Sequence, residues 1–114
     1  NAGHNPPIVV RADGSLDTLT TGGVVLGLFD EGAYEQATTR LDRGDVLVVF
    51  SDGVTETWNR DDVEFGDARL AELIRQGREL DAAAMEAAIL RELDRFSQGT
   101  KATDDRTLIV LKRN

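Results

Sequence analysis

The sequence predicts an α+β fold with a mainly antiparallel β-sheet and two helices. Short apolar runs separated by glycine-containing turns fill the first half of the 114-residue chain. Helical spacing of apolar residues follows between residues 67 and 96, and one more apolar run closes the chain. Strands followed by helices and a returning strand are typical of α+β architecture. The length allows one domain and is too short for two.

The strands of the first half are predicted from apolar runs and the turns that bound them. Residues 8–10 are apolar, Asp13-Gly14 is a strong hairpin-turn signal, and residues 16–19 can return as the partner strand. Residues 24–29 form another apolar run, and residues 34–41 are a weaker candidate rich in threonine. A hairpin and two further strands are therefore expected before residue 42.

The clearest strand is the run Val46-Leu47-Val48-Val49-Phe50, which has no polar alternation. A strand that is apolar on both faces is expected in the middle of a layered structure, covered on each side. It stops abruptly at Ser51-Asp52-Gly53, where the glycine lets the backbone turn. The final apolar run, residues 107–111, is predicted to be a buried strand that returns to the sheet.

Two helices are predicted between these last strands. The first has Asp67 as its N-cap and Gly77 as its stop, and its apolar face consists of Leu70, Leu73 and Ile74. Asp81 can cap the second helix, which is expected to end near Gly99. The apolar stripe of this helix is interpreted as core rather than as a ligand set, and consists of Met85, Ile89, Leu93 and Phe96.

Composition and charge exclude several classes of function. The net charge of −8 would be repelled by a phosphate backbone, so nucleic acid is not expected as a partner. The absence of cysteine excludes disulfides, thiolate zinc sites and phosphatases with a cysteine nucleophile, and it fits a reducing cytoplasm. No apolar run approaches the roughly 18 residues of a membrane span, and a secretory leader is not expected. A cytoplasmic location is predicted.

Acidic residues stand at the ends of two predicted strands. Asp52 follows the central strand, and Asp104 and Asp105 precede the last one. If these strands are antiparallel neighbours, the acids meet at one end of the sheet on a rigid framework, as metal ligands require. Mg²⁺ and Mn²⁺ prefer such oxygen ligands. The alternative is that these acids only form turns, because Asp and Gly are common turn residues.

A different class of phosphatase can be tested on the same segment. Val49-Phe50-Ser51-Asp52-Gly53 is similar to the strand end of haloacid dehalogenase-like hydrolases, which need Asp-x-Asp-Gly with the first Asp as nucleophile. That position is Phe50, which cannot be phosphorylated, so this class is excluded on chemical grounds.

Five motifs in order carry a family resemblance. They are Asn1-Ala2-Gly3-His4-Asn5-Pro6-Pro7, Leu26-Gly27-Leu28-Phe29, Gly44 to Glu56 with its Ser-Asp-Gly, Phe65-Gly66 with Leu70, and Asp104-Asp105-Arg106-Thr107-Leu108. Together they resemble the PP2C-type (PPM) metal-dependent protein phosphatases, in particular the bacterial SpoIIE/RsbU-like branch. The resemblance covers essentially the whole chain and implies an α-β-β-α sandwich, in which two antiparallel sheets lie between helices.

The resemblance also implies a chemistry and a set of ligands. It implies that water activated between two Mn²⁺ or Mg²⁺ ions hydrolyses phosphoserine or phosphothreonine, with no protein nucleophile. The phosphorylated protein substrate implied for this branch is an anti-sigma factor antagonist. By motif, Asp52 and Asp104 match metal-binding residues, and Asp105 is a weaker ligand candidate. No residue is assigned as a catalytic acid or base.

Three further polar residues near these motifs have a structural and a functional interpretation. His4 could act as an acid toward the leaving oxygen, but a structural turn is the favoured interpretation. Glu56 could orient a water near the metals, although a solvated loop acid is favoured. Arg106 could meet phosphate, although a surface arginine at a strand end is favoured.

The resemblance implies that residues 1–114 are the C-terminal portion of a domain whose N-terminal half is absent. No Asp-x-x-Gly-His-Gly type motif, which would supply the metal-bridging Asp, occurs in the chain. The parent is therefore expected to be the enzyme, and the isolated chain to be inactive or weakly active. Exposed sheet edges and core could also drive self-association. The alternative is a non-catalytic module of the same fold that binds a partner.

Overall fold

The computed structural model describes residues 5–20, 38–98 and 106–114, which form one sheet packed against helices. The strands are β1 (Ile8–Val10), β2 (Leu16–Thr18), β3 (Val46–Phe50) and β4 (Leu108–Lys112), and the helices are α1 (Asp52–Thr55), α2 (Gly66–Gln76) and α3 (Ala82–Phe96). The sheet order is β2-β1-β3-β4, and every neighbouring pair is antiparallel. The predicted α+β class with mainly antiparallel sheet is confirmed.

The first hairpin forms where the turn signal predicted it. Val10 pairs with Leu16, and the Arg11 N–H donates to the Ser15 carbonyl oxygen at 2.8 Å across the turn. Gly14 has a φ of 89°, in the left-handed region that glycine adopts without steric cost.

The other two strands predicted for the first half of the chain are tested only in part. Residues 24–29 and 34–37 lie outside the described residues, whereas residues 38–41 form no strand, so that part of the prediction is wrong.

One face of the sheet and the inner faces of α2 and α3 enclose the core. Its largest fully buried side chains come from both layers: Val10, Val46 and Val48 from the sheet, Leu70 and Ile74 from α2, and Met85, Ile89 and Leu93 from α3. The stripe predicted for the second helix is therefore core, as expected.

No helix of the described residues is long and apolar enough to span a membrane.

The helix caps agree with the sequence at one helix and differ at the other. Asp81 caps α3 as predicted, because its carboxylate accepts a hydrogen bond from the Ala84 N–H at 2.7 Å. At α2 the prediction of Asp67 as N-cap is wrong, since Phe65 occupies that position and Asp67 lies in the first turn. An acid in the first turn still interacts favourably with the helix dipole, which explains why the pattern resembled a cap.

The prediction that the central and last strands are buried on both sides is wrong for the face of the sheet that points away from α2 and α3. Along β3, Leu47 and Val49 are only half-buried, and their direct partners on β4, Leu111 and Ile109, are 53% and 57% exposed. The helices cover one face of the sheet, and the described residues leave these β4 side chains accessible. We call these two cross-strand pairs the exposed apolar face.

A buried carboxylate organises the end of the sheet where β1 stops and β3 begins. Asp45 is 2% exposed and accepts hydrogen bonds from the Arg11 guanidinium, the Ala12 N–H and the Asp42 N–H, at 2.9, 2.9 and 2.8 Å. Burial opposes ionisation of Asp45, but these donors outweigh it, so the pKa of its carboxyl lies below the ordinary value. Asp45 thus ties the β1–β2 hairpin to the entry of β3.

Candidate metal site at one end of the sheet

Three strand ends meet at the opposite end of the sheet. The ladder pairs Ile8 with Val48 and Phe50 with Leu108, so β1 begins, β3 ends and β4 begins at the same place. This is the antiparallel arrangement that the acidic strand ends required. Of the predicted ligands, Asp52 is described here, whereas Asp104 and Asp105 lie outside the described residues. We call this the acidic end of the sheet.

Ser51 and Thr107 fasten the two strand ends together. The Ser51 N–H donates to the Thr107 carbonyl oxygen at 3.0 Å, and the Thr107 N–H donates to Ser51 Oγ at 2.9 Å. Ser51 is the N-cap residue of α1 but makes no side-chain cap bond. Its hydroxyl instead accepts the hydrogen bond from Thr107, which holds the chain immediately before β4 close to Asp52.

Asp52 is held at the surface by buried neighbours. It opens the single turn of α1, and Val54 in the same turn is fully buried in the core. Thr57 adds a buried hydrogen bond from its hydroxyl to the Gly53 carbonyl oxygen at 2.9 Å. Gly53 thus lies within a helical turn, which is how the chain leaves the strand. The backbone of Asp52 is therefore well anchored, while its side chain is exposed to solvent.

A residue that sequence reasoning did not assign contacts Asp52. The Asn5 side-chain nitrogen donates to Asp52 Oδ1 at 2.5 Å across 47 positions of sequence. A carboxylate only accepts hydrogen bonds, so the atom of Asn5 that faces it must be the amide nitrogen. The signal available beforehand was that Asn5 belongs to the first of the five motifs, just before two prolines.

The chemistry of Asp52 fits a hard divalent cation. It offers an exposed carboxylate, and none of the ion pairs found in the described ranges involves it. Carboxylate oxygens are the ligands that Mg²⁺ and Mn²⁺ prefer. Within residues 5–20, 38–98 and 106–114, however, no group of three or more His, Asp or Glu residues could hold a metal. Asp52 would therefore contribute one ligand to a site completed by other residues.

The remaining polar candidates are placed as follows. His4 lies outside the described residues. Glu56 is exposed at the C-cap of α1, where its N–H donates to the Asp52 carbonyl oxygen at 2.8 Å. Arg106 forms an ion pair with Asp94 of α3 at 2.9 Å, and its side chain is only 20% exposed. Arg106 therefore joins the start of β4 to α3.

Comparison with known sequences identifies relatives along the whole chain. The family model of Stage II sporulation protein E (SpoIIE) matches residues 1–114. The phosphoserine phosphatase RsbU of Bacillus subtilis is 36% identical over 115 residues, covering 99% of this chain and 33% of that protein. Protein IcfG of Synechocystis is 27% identical, covering 100% of this chain and 18% of that protein. The chain thus spans a third or less of the length of these relatives.

Solved structures share the fold. The SiaA-PP2C domain of Pseudomonas aeruginosa superposes with a TM-score of 0.83 at 16% identity, over 99% of this chain and 44% of that one. The PP2C phosphatase domain with a fragment of the regulatory domain of SpoIIE from Bacillus subtilis gives 0.78 at 24% identity, over 96% and 32% respectively. The match over the full 114 residues and the shared fold lead to one conclusion: the chain belongs to the SpoIIE family and has the α+β fold of PP2C phosphatase domains.

Proposed function

We propose that this chain is the C-terminal, metal-binding portion of a PP2C-type protein serine/threonine phosphatase domain. Asp52 and Asp104 are the proposed ligands, and Asp105 is the weaker third candidate. The observation that carries the proposal is the acidic end of the sheet. There Asp52 is exposed on an anchored turn, and the Ser51–Thr107 hydrogen bonds hold the chain that follows Asp105 beside it.

The proposed reaction is hydrolysis of a phosphomonoester by water. A pair of Mn²⁺ or Mg²⁺ ions would lower the pKa of that water and neutralise charge on the phosphoryl group. The role of this chain is to hold carboxylates at fixed positions on strand ends, where rigid geometry favours metal binding. No side chain of the chain is assigned as a nucleophile.

The name of one relative supports the proposed substrate class. The Bacillus subtilis protein that shares 36% identity is named a phosphoserine phosphatase, which supports a phosphorylated serine or threonine side chain here too. Within that class we propose a phosphorylated anti-sigma factor antagonist as the protein substrate and the cytoplasm as the location. A non-catalytic, partner-binding module of the same fold is the competing proposal, because the chain carries no Asp-x-x-Gly-His-Gly type motif to supply a metal-bridging Asp.

The test uses the complete protein that carries this chain and a phosphoserine peptide. We expect release of inorganic phosphate with Mn²⁺ and loss of that release when the metal is chelated. Equal hydrolysis in a chelator would contradict the proposed chemistry. Tight Mn²⁺ binding without any hydrolysis of phosphopeptides or of a phosphorylated antagonist would favour the non-catalytic module.

The exposed apolar face predicts how the isolated chain behaves in solution. In the proposed domain a second sheet would cover Ile109 and Leu111, whereas the isolated chain leaves them accessible, which favours association. We expect the double variant Ile109→Thr/Leu111→Thr to shift the isolated chain toward monomer in sedimentation velocity. Threonine keeps β-propensity, so the strand should persist. The control Leu80→Thr removes a 39% exposed leucine outside the sheet and should leave self-association unchanged.

A further inference from the structure

We propose that Asn5 is a positioning residue for Asp52, one that orients this carboxylate for metal binding. The proposal rests on the proposed function, because it assumes that Asp52 is a ligand. The direct evidence is the hydrogen bond of 2.5 Å from the Asn5 amide nitrogen to Asp52 Oδ1. One carboxylate oxygen is thus engaged by Asn5, which leaves the other oxygen to serve as a ligand.

The sheet register explains why Asn5 reaches this position. β1 and β3 are antiparallel, and their last described pair at this end is Ile8 with Val48. Extending this register by three positions, past the ends of both strands, places Asn5 opposite Ser51, the residue before Asp52. Thr107 bonds Ser51 from the other side. The turn that carries Asp52 is therefore held between the segment before β1 and the start of β4.

Two prolines stiffen the segment that carries Asn5. Pro6 restricts the preceding residue to extended backbone, and both rings fix φ near −65°. The Pro7 carbonyl oxygen accepts a hydrogen bond from the Leu19 N–H at 2.9 Å, which ties the segment to the hairpin. Asn5 is half-buried, and Ile8 just beyond the prolines is 4% exposed. A donor on such a support loses little conformational entropy when it orients a carboxylate.

Asparagine suits this position chemically. Its amide donates to Asp52 without adding charge, so it orients the carboxylate without competing with a cation for it. A lysine or arginine there would form an ion pair and oppose metal binding. Groups that hydrogen-bond a metal ligand typically change metal affinity by about 10- to 100-fold when they are removed.

The test measures Mn²⁺ binding directly, by electron paramagnetic resonance of free Mn²⁺ in the complete protein. Asn5→Ala is expected to weaken Mn²⁺ binding by about tenfold, at the low end of that range because the hydrogen bond is exposed to solvent. The melting temperature measured in a chelator should stay unchanged. The matched control is Asn59→Ala, since the hydrogen bonds that the Asn59 carboxamide accepts within the described ranges come from its own loop, from the N–H groups of Asp61 and Val63.

A double-mutant cycle separates positioning from general loosening of the fold. In the Asp52→Asn background, Asn5→Ala should cause no further loss of Mn²⁺ affinity, because its effect passes through the missing carboxylate. An additive loss, or an Asn5→Ala affinity within twofold of the unsubstituted protein, would overturn the inference. If Asp52→Asn alone leaves Mn²⁺ binding unchanged, the proposed metal site fails as well. The two failures are therefore distinguishable.

Discussion

Replacing Asp52 by asparagine is expected to lower the Mn²⁺-dependent phosphatase activity of the complete protein by on the order of a hundredfold or more. The change keeps the shape of the side chain and removes the charge that a hard cation requires. Even groups that only support a ligand alter metal affinity about 10- to 100-fold, so loss of a ligand should exceed that range. The measurement is kcat/KM for a phosphoserine peptide at several Mn²⁺ concentrations.

Asp62→Asn is the matched control for Asp52→Asn. Asp62 is exposed and has a φ of 59°, a conformation that asparagine also adopts readily. The control therefore removes the same charge from the same chain without strain, and its activity should stay within about twofold of the unsubstituted protein. Full activity of Asp52→Asn at low Mn²⁺ would show that Asp52 is not a ligand.

The second large effect is expected on stability, at the buried carboxylate of Asp45. Asp45→Ala should lower the free energy of unfolding by about 3 kcal/mol, because the change leaves two backbone N–H groups without their acceptor and removes one of the two carboxylates, Asp45 and Asp17, that pair with the Arg11 guanidinium. Urea denaturation followed by circular dichroism measures this loss. In the described part of the chain the Asp42 side chain makes an exposed ion pair with Arg40, so the control Asp42→Ala should change stability by less than about 1 kcal/mol.

The contribution of Asp45 to the stability of the fold depends on pH in one direction. The pKa of Asp45 is lower in the folded state than its ordinary value of 3.8. Its ionised form therefore stabilises the fold above that ordinary value, and the contribution is lost as the pH falls through the lower folded pKa. We expect the stability difference between the unsubstituted chain and Asp45→Ala to be constant near neutral pH and to shrink below about pH 4. A difference that grows under acid would contradict the assignment.

Local patterns predicted most of the described elements because their causes are local. The hairpin at Asp13-Gly14 follows from a turn that glycine favours, and α3 follows from the Asp81 cap and an apolar stripe at helical spacing. The mistake about the burial of β4 had a non-local cause. Whether β4 is buried depends on what packs over each face of the sheet, and its own five residues carry no information about that.

Some residues of the candidate metal site could be assigned from the sequence and one could not. Asp52, Asp104 and Asp105 could be named from the sequence because Ser-Asp-Gly and the closing acidic motif are contiguous in the chain, and the metal role of all three stays a prediction. Asn5 could not be assigned, since its partner lies 47 positions away and only the β1–β3 register brings them together.

The sequence by itself determined the fold class, the family and the acidic residues at the strand ends, because each of these depends on residue type and spacing along the chain. The tertiary structure decided which strand ends meet, which face of the sheet stays exposed and which side chain contacts Asp52. Those outcomes depend on the strand order β2-β1-β3-β4 and on contacts between residues far apart in the chain. Pairing of distant strands is a property of the assembled sheet, and no single strand specifies it.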